Sequence, residues 1–250
     1  MASTNPDRRL FLSMGASAAA TLGIALVPAA AAEQTAGGTP LKIGIIGAGR
    51  EGGALGTLLV KAGHPVMFSS RHPEALMGLV AGLGPLATAG TVAQAVDFGD
   101  VVMIVVPYTA MQQIGRDYGP ALAKKAAVID VSNPIAGRDG ADFVKSVAEQ
   151  GGAGLATAKM LPGARIVRGF NAISYMKLAA DAHRSGEPVG VPIAGDDKDA
   201  VAIASALIRQ MGFEPVLVGG LAMGKYLVPG TPLGGEHTPA EIRKIAAGLG

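Results

Sequence analysis

Gly47, Gly49 and Gly52 stand at the spacing G-x-G-x-x-G, with Ala48, Arg50 and Glu51 between them. This spacing can hold a pyrophosphate. The first glycine allows a tight turn and the second lets the backbone approach the phosphates. The third lets a helix pack closely on a sheet. Unpaired amides and the positive dipole end of that helix then supply the binding groups. About 20 residues further on, a ribose-binding carboxylate is usual in such units. Here the chain reads Ser69, Ser70 and Arg71. A carboxylate repels a 2′-phosphate, whereas hydroxyls and a guanidinium hold one through charge-assisted hydrogen bonds. These residues predict NADP rather than NAD. Glu74 and His72 lie close by, the first able to pair with Arg71 and the second to touch the same phosphate.

The glycines work only if the right elements flank them, and the flanks are present. Ile43 to Ile46 is an apolar run of strand length, Gly53 to Ala62 reads as a helix, and Val66 to Phe68 as a second strand. Alternation of this kind continues to about Val218. Further strands are expected at Val101 to Val106, Ala127 to Val131, Ile166 to Gly169, Val191 to Ala194 and Pro215 to Val218. An amphipathic helix is expected from Lys198 to Met211. Thr91 with Gln94, and Thr109 with Gln112, match the capping box that opens helices. The pattern predicts an α/β, Rossmann-like, doubly wound and mostly parallel sheet in a single domain. Residues 41–229 make up that domain. Residues 230–250 form a Pro- and Gly-rich tail that ends in a short helix from Pro239 to about Ala247, with Thr238 and Glu241 as its capping pair.

Ligands in such sheets sit at the carboxyl ends of the strands. Val106, Pro107 and Tyr108 follow one strand, Asn133 another, and Asn171 and Ala172 a third. They are expected to surround a nicotinamide. No catalytic acid, base or metal set is visible among them, and Tyr108 is the nearest proton donor. His64 falls at the opposite end of the sheet.

Composition narrows the classes. A formal charge of +2 and no basic block after the N-terminus leave nucleic acid without electrostatic support as a partner. Zero cysteines exclude disulfides and thiol chemistry, and the four histidines show no metal-binding spacing. Residues 1–32 carry Arg8-Arg9-Leu10-Phe11-Leu12, an apolar Ala- and Gly-rich stretch and a small-residue site at Ala32. This is similar to a twin-arginine export signal. It predicts a periplasmic protein exported by the twin-arginine machinery, with residues 33–40 as linker; a membrane anchor is the alternative. The twin-arginine route carries folded proteins, which suits a domain loaded with nucleotide in the cytoplasm.

The segments GIIGAGREGGALGTLLVKAGHPVMFSSR, VVMIVVPY, VIDVSNP, RGFNA, IAGDDKDA and GFEPVLVGG occur in an order that resembles the NADP oxidoreductase, coenzyme F420-dependent family. That family is similar to the NADPH-binding domain of the STEAP reductases. The resemblance covers about Leu41 to Pro229. It implies that Ala48 to Glu51 face the pyrophosphate, that Ser70 and Arg71 hold the 2′-phosphate, and that Val106 and Pro107 flank the nicotinamide. Residues after Phe170 would meet its carboxamide. It also implies a small-molecule hydride acceptor, F420 or a flavin. Ala75 departs from members that carry a basic residue there. Two other readings stay open: a non-catalytic NADP-binding module, and an imine reductase resembling pyrroline-5-carboxylate reductase. A homodimer is also left open.

Overall fold

The structure is a computed structural model that describes residues 39–249. The expected export signal, with Arg8 and Arg9, and residues 33–38 of the expected linker lie outside the described residues. Ile43 to Ile46 are buried throughout, as a strand covered on both faces must be. That strand opens an alternating series: β1 (Ile43–Ile46), α1 (Arg50–Lys61), β2 (Val66–Ser69), α2 (Met77–Leu83), β3 (Ala87–Gly90), α3 (Val92–Phe98), β4 (Val101–Ile104) and α4 (Met111–Leu122). Next come β5 (Ala127–Asp130), α5 (Ala136–Asp139), α6 (Ala141–Glu149), α7 (Ala153–Met160), β6 (Ile166–Arg168) and α8 (Tyr175–Asp181). The series closes with β7 (Gly190–Gly195), α9 (Lys198–Gln210), β8 (Glu214–Gly219) and α10 (Pro239–Ala247).

The strands form one sheet in the order β3-β2-β1-β4-β5-β6-β7-β8. β1 to β6 pair in parallel, β7 runs antiparallel to β6, and β8 is parallel to β7. This is the Rossmann-like, doubly wound α/β fold, with its strand order reversing between β1 and β4. Alternate strand residues feed opposite faces. Ile43, Ile45, Phe68 and Met103 pack with Leu55 and Leu59 of α1 and Leu207 of α9. Ile46, Val102, Ile104 and Val128 pack with Val96 of α3 and Met111 and Ile114 of α4. Gly44 is bare because α3 lies against it: a Cβ there would fall 2.0 Å from the Ala95 carbonyl oxygen.

Two capping boxes form as expected, at Thr91–Gln94 and at Thr238–Glu241. The third does not. A 3-10 turn over Tyr108–Ala110 follows β4, so α4 starts at Met111 with Ala110 as an N-cap that gives no side-chain bond. Residues 230–249 are packed rather than loose. Leu233 and Ile242 are fully buried with Ala194, Val216 and Leu227, and the Gly190 amide donates to the His237 carbonyl at 2.9 Å. Among the described residues no helix is long and apolar enough to cross a membrane.

Candidate functional site

The glycine turn leaves β1 and enters α1. Gly47 has φ 95°, and a Cβ on it would lie 2.3 Å from the Val105 carbonyl oxygen. Gly52 would place a Cβ 2.2 Å from the Gly47 carbonyl oxygen. Packing therefore demands both glycines. Gly49 differs, because a Cβ there meets nothing within 4 Å. Its smallness leaves room for a ligand. The Gly47 and Ala48 amides donate to the Ser69 carbonyl at 3.2 and 2.8 Å, which fixes the turn. The first intrahelical bond of α1 runs from the Gly53 amide to the Gly49 carbonyl at 2.8 Å. The amides of Arg50 to Gly52 precede it and remain as donors at a positive dipole end. This is a cradle that a pyrophosphate fits.

Above it lies a cleft of about 480 Å³, at the carboxyl ends of β1, β4, β5 and β6. It brings together nine expected residues: Gly49, Arg50, Glu51, Gly52, Val106, Pro107, Asn133, Asn171 and Ala172. Ile135, Arg138, Ile173, Ser174 and Pro229 also line it and carried no signal in the sequence. Pro229 arrives there only because the C-terminal segment folds back on the sheet.

A buried ion pair sets the floor. Asp130 ends β5 and Arg168 ends β6, in direct cross-strand register. Their side chains are fully buried and meet at 2.5 Å. Arg168 also donates to the Ser132 carbonyl at 2.9 Å and to Asn133 Oδ1 at 3.3 Å. Asn133 Nδ2 donates in turn to the Asn171 carbonyl at 2.7 Å. Asn171 Nδ2 donates to the carbonyls of Asp130 and Ser132, at 3.2 and 3.3 Å. Its Oδ1 is buried with no partner. An orphaned acceptor beside a cleft fits the amide protons of a carboxamide. Phe170 sets up this geometry. It holds φ 58°, unusual for a residue with a side chain, and its ring is anchored edge-on to Phe213 with centroids 5.7 Å apart.

Tyr108 is placed differently from the expectation. Its ring is fully buried, and its hydroxyl donates to the Ala153 carbonyl at 2.7 Å and contacts Thr157 Oγ1 at 2.9 Å. Thr157 in turn donates to Asp130 at 2.8 Å. Burial, and then the nearby Asp130 charge, push the phenol up to about 12. The side chain holds α7 against the sheet and is not part of the cleft lining. The turn after β4 draws it inward.

The end of β2 is also only partly as expected. Ser69 is fully buried and gives its hydroxyl to the Ile45 carbonyl at 2.7 Å, so that group is not free for a phosphate. Ser70 Oγ accepts from the His72 amide at 2.8 Å and keeps its own proton to donate. Arg71 is exposed, and Glu74 pairs with His72 at 3.3 Å rather than with Arg71. His64 is buried at the far end, tied to Leu41 and Gln210.

Glu51 is the sole carboxyl side chain lining the cleft among the described residues. Burial pushes it up to about 7, against a lesser opposing bond from the Tyr175 amide at the start of α8.

Residues 42–134 match the family model described as NADP oxidoreductase, coenzyme F420-dependent. Metalloreductase STEAP3 of Rattus norvegicus is 30% identical over 187 residues, which are 74% of this chain and 35% of that protein. The chain thus spans about a third of that curated relative. A hypothetical protein of Sinorhizobium meliloti superposes with a TM-score of 0.62 at 26% identity, over 78% of this chain and 93% of that one. A proposed F420-dependent NADP reductase of Arthrobacter sp. FB24 shares the fold, with a TM-score of 0.64 at 19% identity, over 74% and 87% of the two chains.

Proposed function

Over residues 42–134 the chain belongs to the NADP oxidoreductase, coenzyme F420-dependent family, and on that premise we propose that it moves hydride between NADP(H) and a planar flavin or deazaflavin acceptor of the F420 type. One observation carries this reading: a single cleft joins the open Gly49 cradle to the orphaned Asn171 Oδ1. When bound, the nucleotide supplies the hydride. The chain's own residues bind and orient it. The α1 amides receive the pyrophosphate, and Ser70 with Arg71 receives the 2′-phosphate. Asn171 fixes the carboxamide, and the Asp130–Arg168 pair holds Asn171 and Asn133 in place. Val106, Pro107 and Ile173 give the cleft apolar walls against which flat rings stack and from which water is excluded. The acceptor class draws on the family description. Export by the twin-arginine route belongs to the same proposal and rests on Arg8 and Arg9.

Stopped-flow oxidation of bound NADPH tests the reading, with FMN, FAD, F420, aldehydes and imines as acceptors. The flavin types should oxidise NADPH, and Tyr108→Phe should keep most of that rate, because the phenol faces α7. Fast turnover of aldehydes or imines with none for the flavin types refutes the acceptor class. If no acceptor takes hydride from protein that binds NADPH, the chain is a nucleotide-binding module.

A further inference from the structure

Reducing a flavin-type acceptor takes a proton as well as a hydride, and Tyr108 cannot give it. We propose that Glu51 is the proton donor of this site, an inference that rests on the reductase reading above. Glu51 lies in the first turn of α1 and lines the cleft on the side of the Phe170–Ser174 loop, which carries Asn171. Its Oε1 is sealed from solvent with no hydrogen-bond partner. An ionised oxygen in that position loses its hydration without compensation, so the neutral acid is favoured.

The surrounding charges do not restore the anion. Arg50, on the same helix, turns onto Tyr175, with Nη1 donating to the phenol oxygen at 3.2 Å and the guanidinium 5.6 Å from the ring centroid. Arg138, which also lines the cleft, is bonded to Asp139 at 2.8 Å. Lys177 of α8 pairs with Glu236 at 3.6 Å, and Asp181 lies at the other end of α8. Arg168 is committed to Asp130. The carboxyl is thereby held up to about 7, close to the pH at which a general acid works best. A neutral Glu51 also avoids repelling a pyrophosphate on the neighbouring amides.

A C–H bond of the dihydronicotinamide breaks and its electron pair moves with the hydrogen to the acceptor. The Glu51 O–H bond breaks and its proton goes to a nitrogen or oxygen of the same acceptor. The nicotinamide is oxidised and the acceptor reduced. Glu51, left as a carboxylate, regains a proton from solvent after the reduced acceptor has left and water has refilled the cleft.

The test compares wild type, Glu51→Gln and Glu51→Asp by stopped flow from prebound NADPH to FMN, FAD and F420, from about pH 6 to about pH 9. NADPH affinity is measured by fluorescence. A ¹³C NMR titration of glutamate-labelled, ligand-free protein reads the carboxyl directly. In wild type the transfer rate should fall about tenfold per pH unit above neutrality, while Glu51→Gln should be about 10²-fold slower with a flat profile. Glu51→Asp should regain a sloping profile, and at about pH 6, where the wild-type carboxyl is mostly neutral, NADPH affinity should change less than about twofold in Glu51→Gln. One glutamate resonance should titrate near neutrality and be missing from Glu51→Gln. The inference is overturned if Glu51→Gln keeps the wild-type rate and profile, if its loss lies wholly in NADPH affinity, or if every glutamate titrates in the ordinary carboxyl range. Failure of wild type with all three acceptors overturns the reductase reading and this inference with it, whereas wild-type transfer with an unaltered Glu51→Gln overturns this inference alone.

Discussion

Arg71→Ala should separate the two nicotinamide nucleotides. Arg71 stands past the end of β2, exposed, with Glu74 drawn off by His72. Its guanidinium therefore meets a 2′-phosphate without first breaking an internal pair. A hydrogen bond to a charged group contributes about 1.5–3 kcal/mol, and solvent exposure favours the lower half of that range. At about 1.4 kcal/mol per decade, NADPH affinity should fall roughly ten- to fortyfold. Ser69 cannot compensate, because its hydroxyl is given to the Ile45 carbonyl. NADH has a hydroxyl where NADPH has the phosphate, so its affinity should stay within about twofold of wild type. Raising the salt concentration should erode the NADPH preference of wild type and leave the variant nearly unaffected. Fluorescence titration of both nucleotides, at low and high salt, measures all of this. Equal losses for NADPH and NADH would show that Arg71 serves the loop rather than the phosphate and would refute the assignment.

Gly49→Ala and Gly52→Ala should behave differently although both alter one motif. The first should keep its melting temperature and lose nucleotide affinity, since its Cβ meets only the space a ligand would fill. The second should lose about 1–3 kcal/mol of stability, because its Cβ collides with the Gly47 carbonyl; calorimetry with and without NADPH compares them. Arg168→Ala should cost about 3–5 kcal/mol in denaturant unfolding by leaving Asp130 buried and unpaired, and NADPH binding should weaken as Asn133 and Asn171 lose their support. Replacing Arg8 and Arg9 by Lys should leave an unprocessed precursor in the cytoplasm; mature protein whose N-terminal sequence begins at Ser3 or Thr4 would count against export.

Local rules make much of this protein legible in its sequence. Continuous apolar runs marked β1 and β4, because a strand buried on both faces has no polar side, and β5 and β6 were readable from shorter apolar runs that each end in one charged residue, Asp130 and Arg168. Capping at Thr91 and Thr238 was readable because a cap is satisfied three residues away. The glycine turn could be read because φ and close approach constrain residue type directly. Other features had no local cause. β3 is Ala-Thr-Ala-Gly, with no apolar run, and it is a strand because β2 offers an edge to pair with. The reversal of β7 leaves no mark in its residues, since an apolar run reads the same in either direction. Ser69 and Tyr108 look like surface polar groups at strand ends, yet each turns inward to a carbonyl contributed by a distant segment. Glu51 is one more residue of the motif in the sequence, and only the packing of α8 beside α1 strips it of water and lifts its carboxyl. Asp130 and Arg168, 38 residues apart, become partners only when β5 and β6 lie side by side in register. Residue type and short-range spacing determined the glycine turn and the expectation of NADP rather than NAD. Which side chains line the cleft was decided by contacts between elements far apart in sequence, because burial and pairing depend on what lies across the gap rather than on what comes next in the chain.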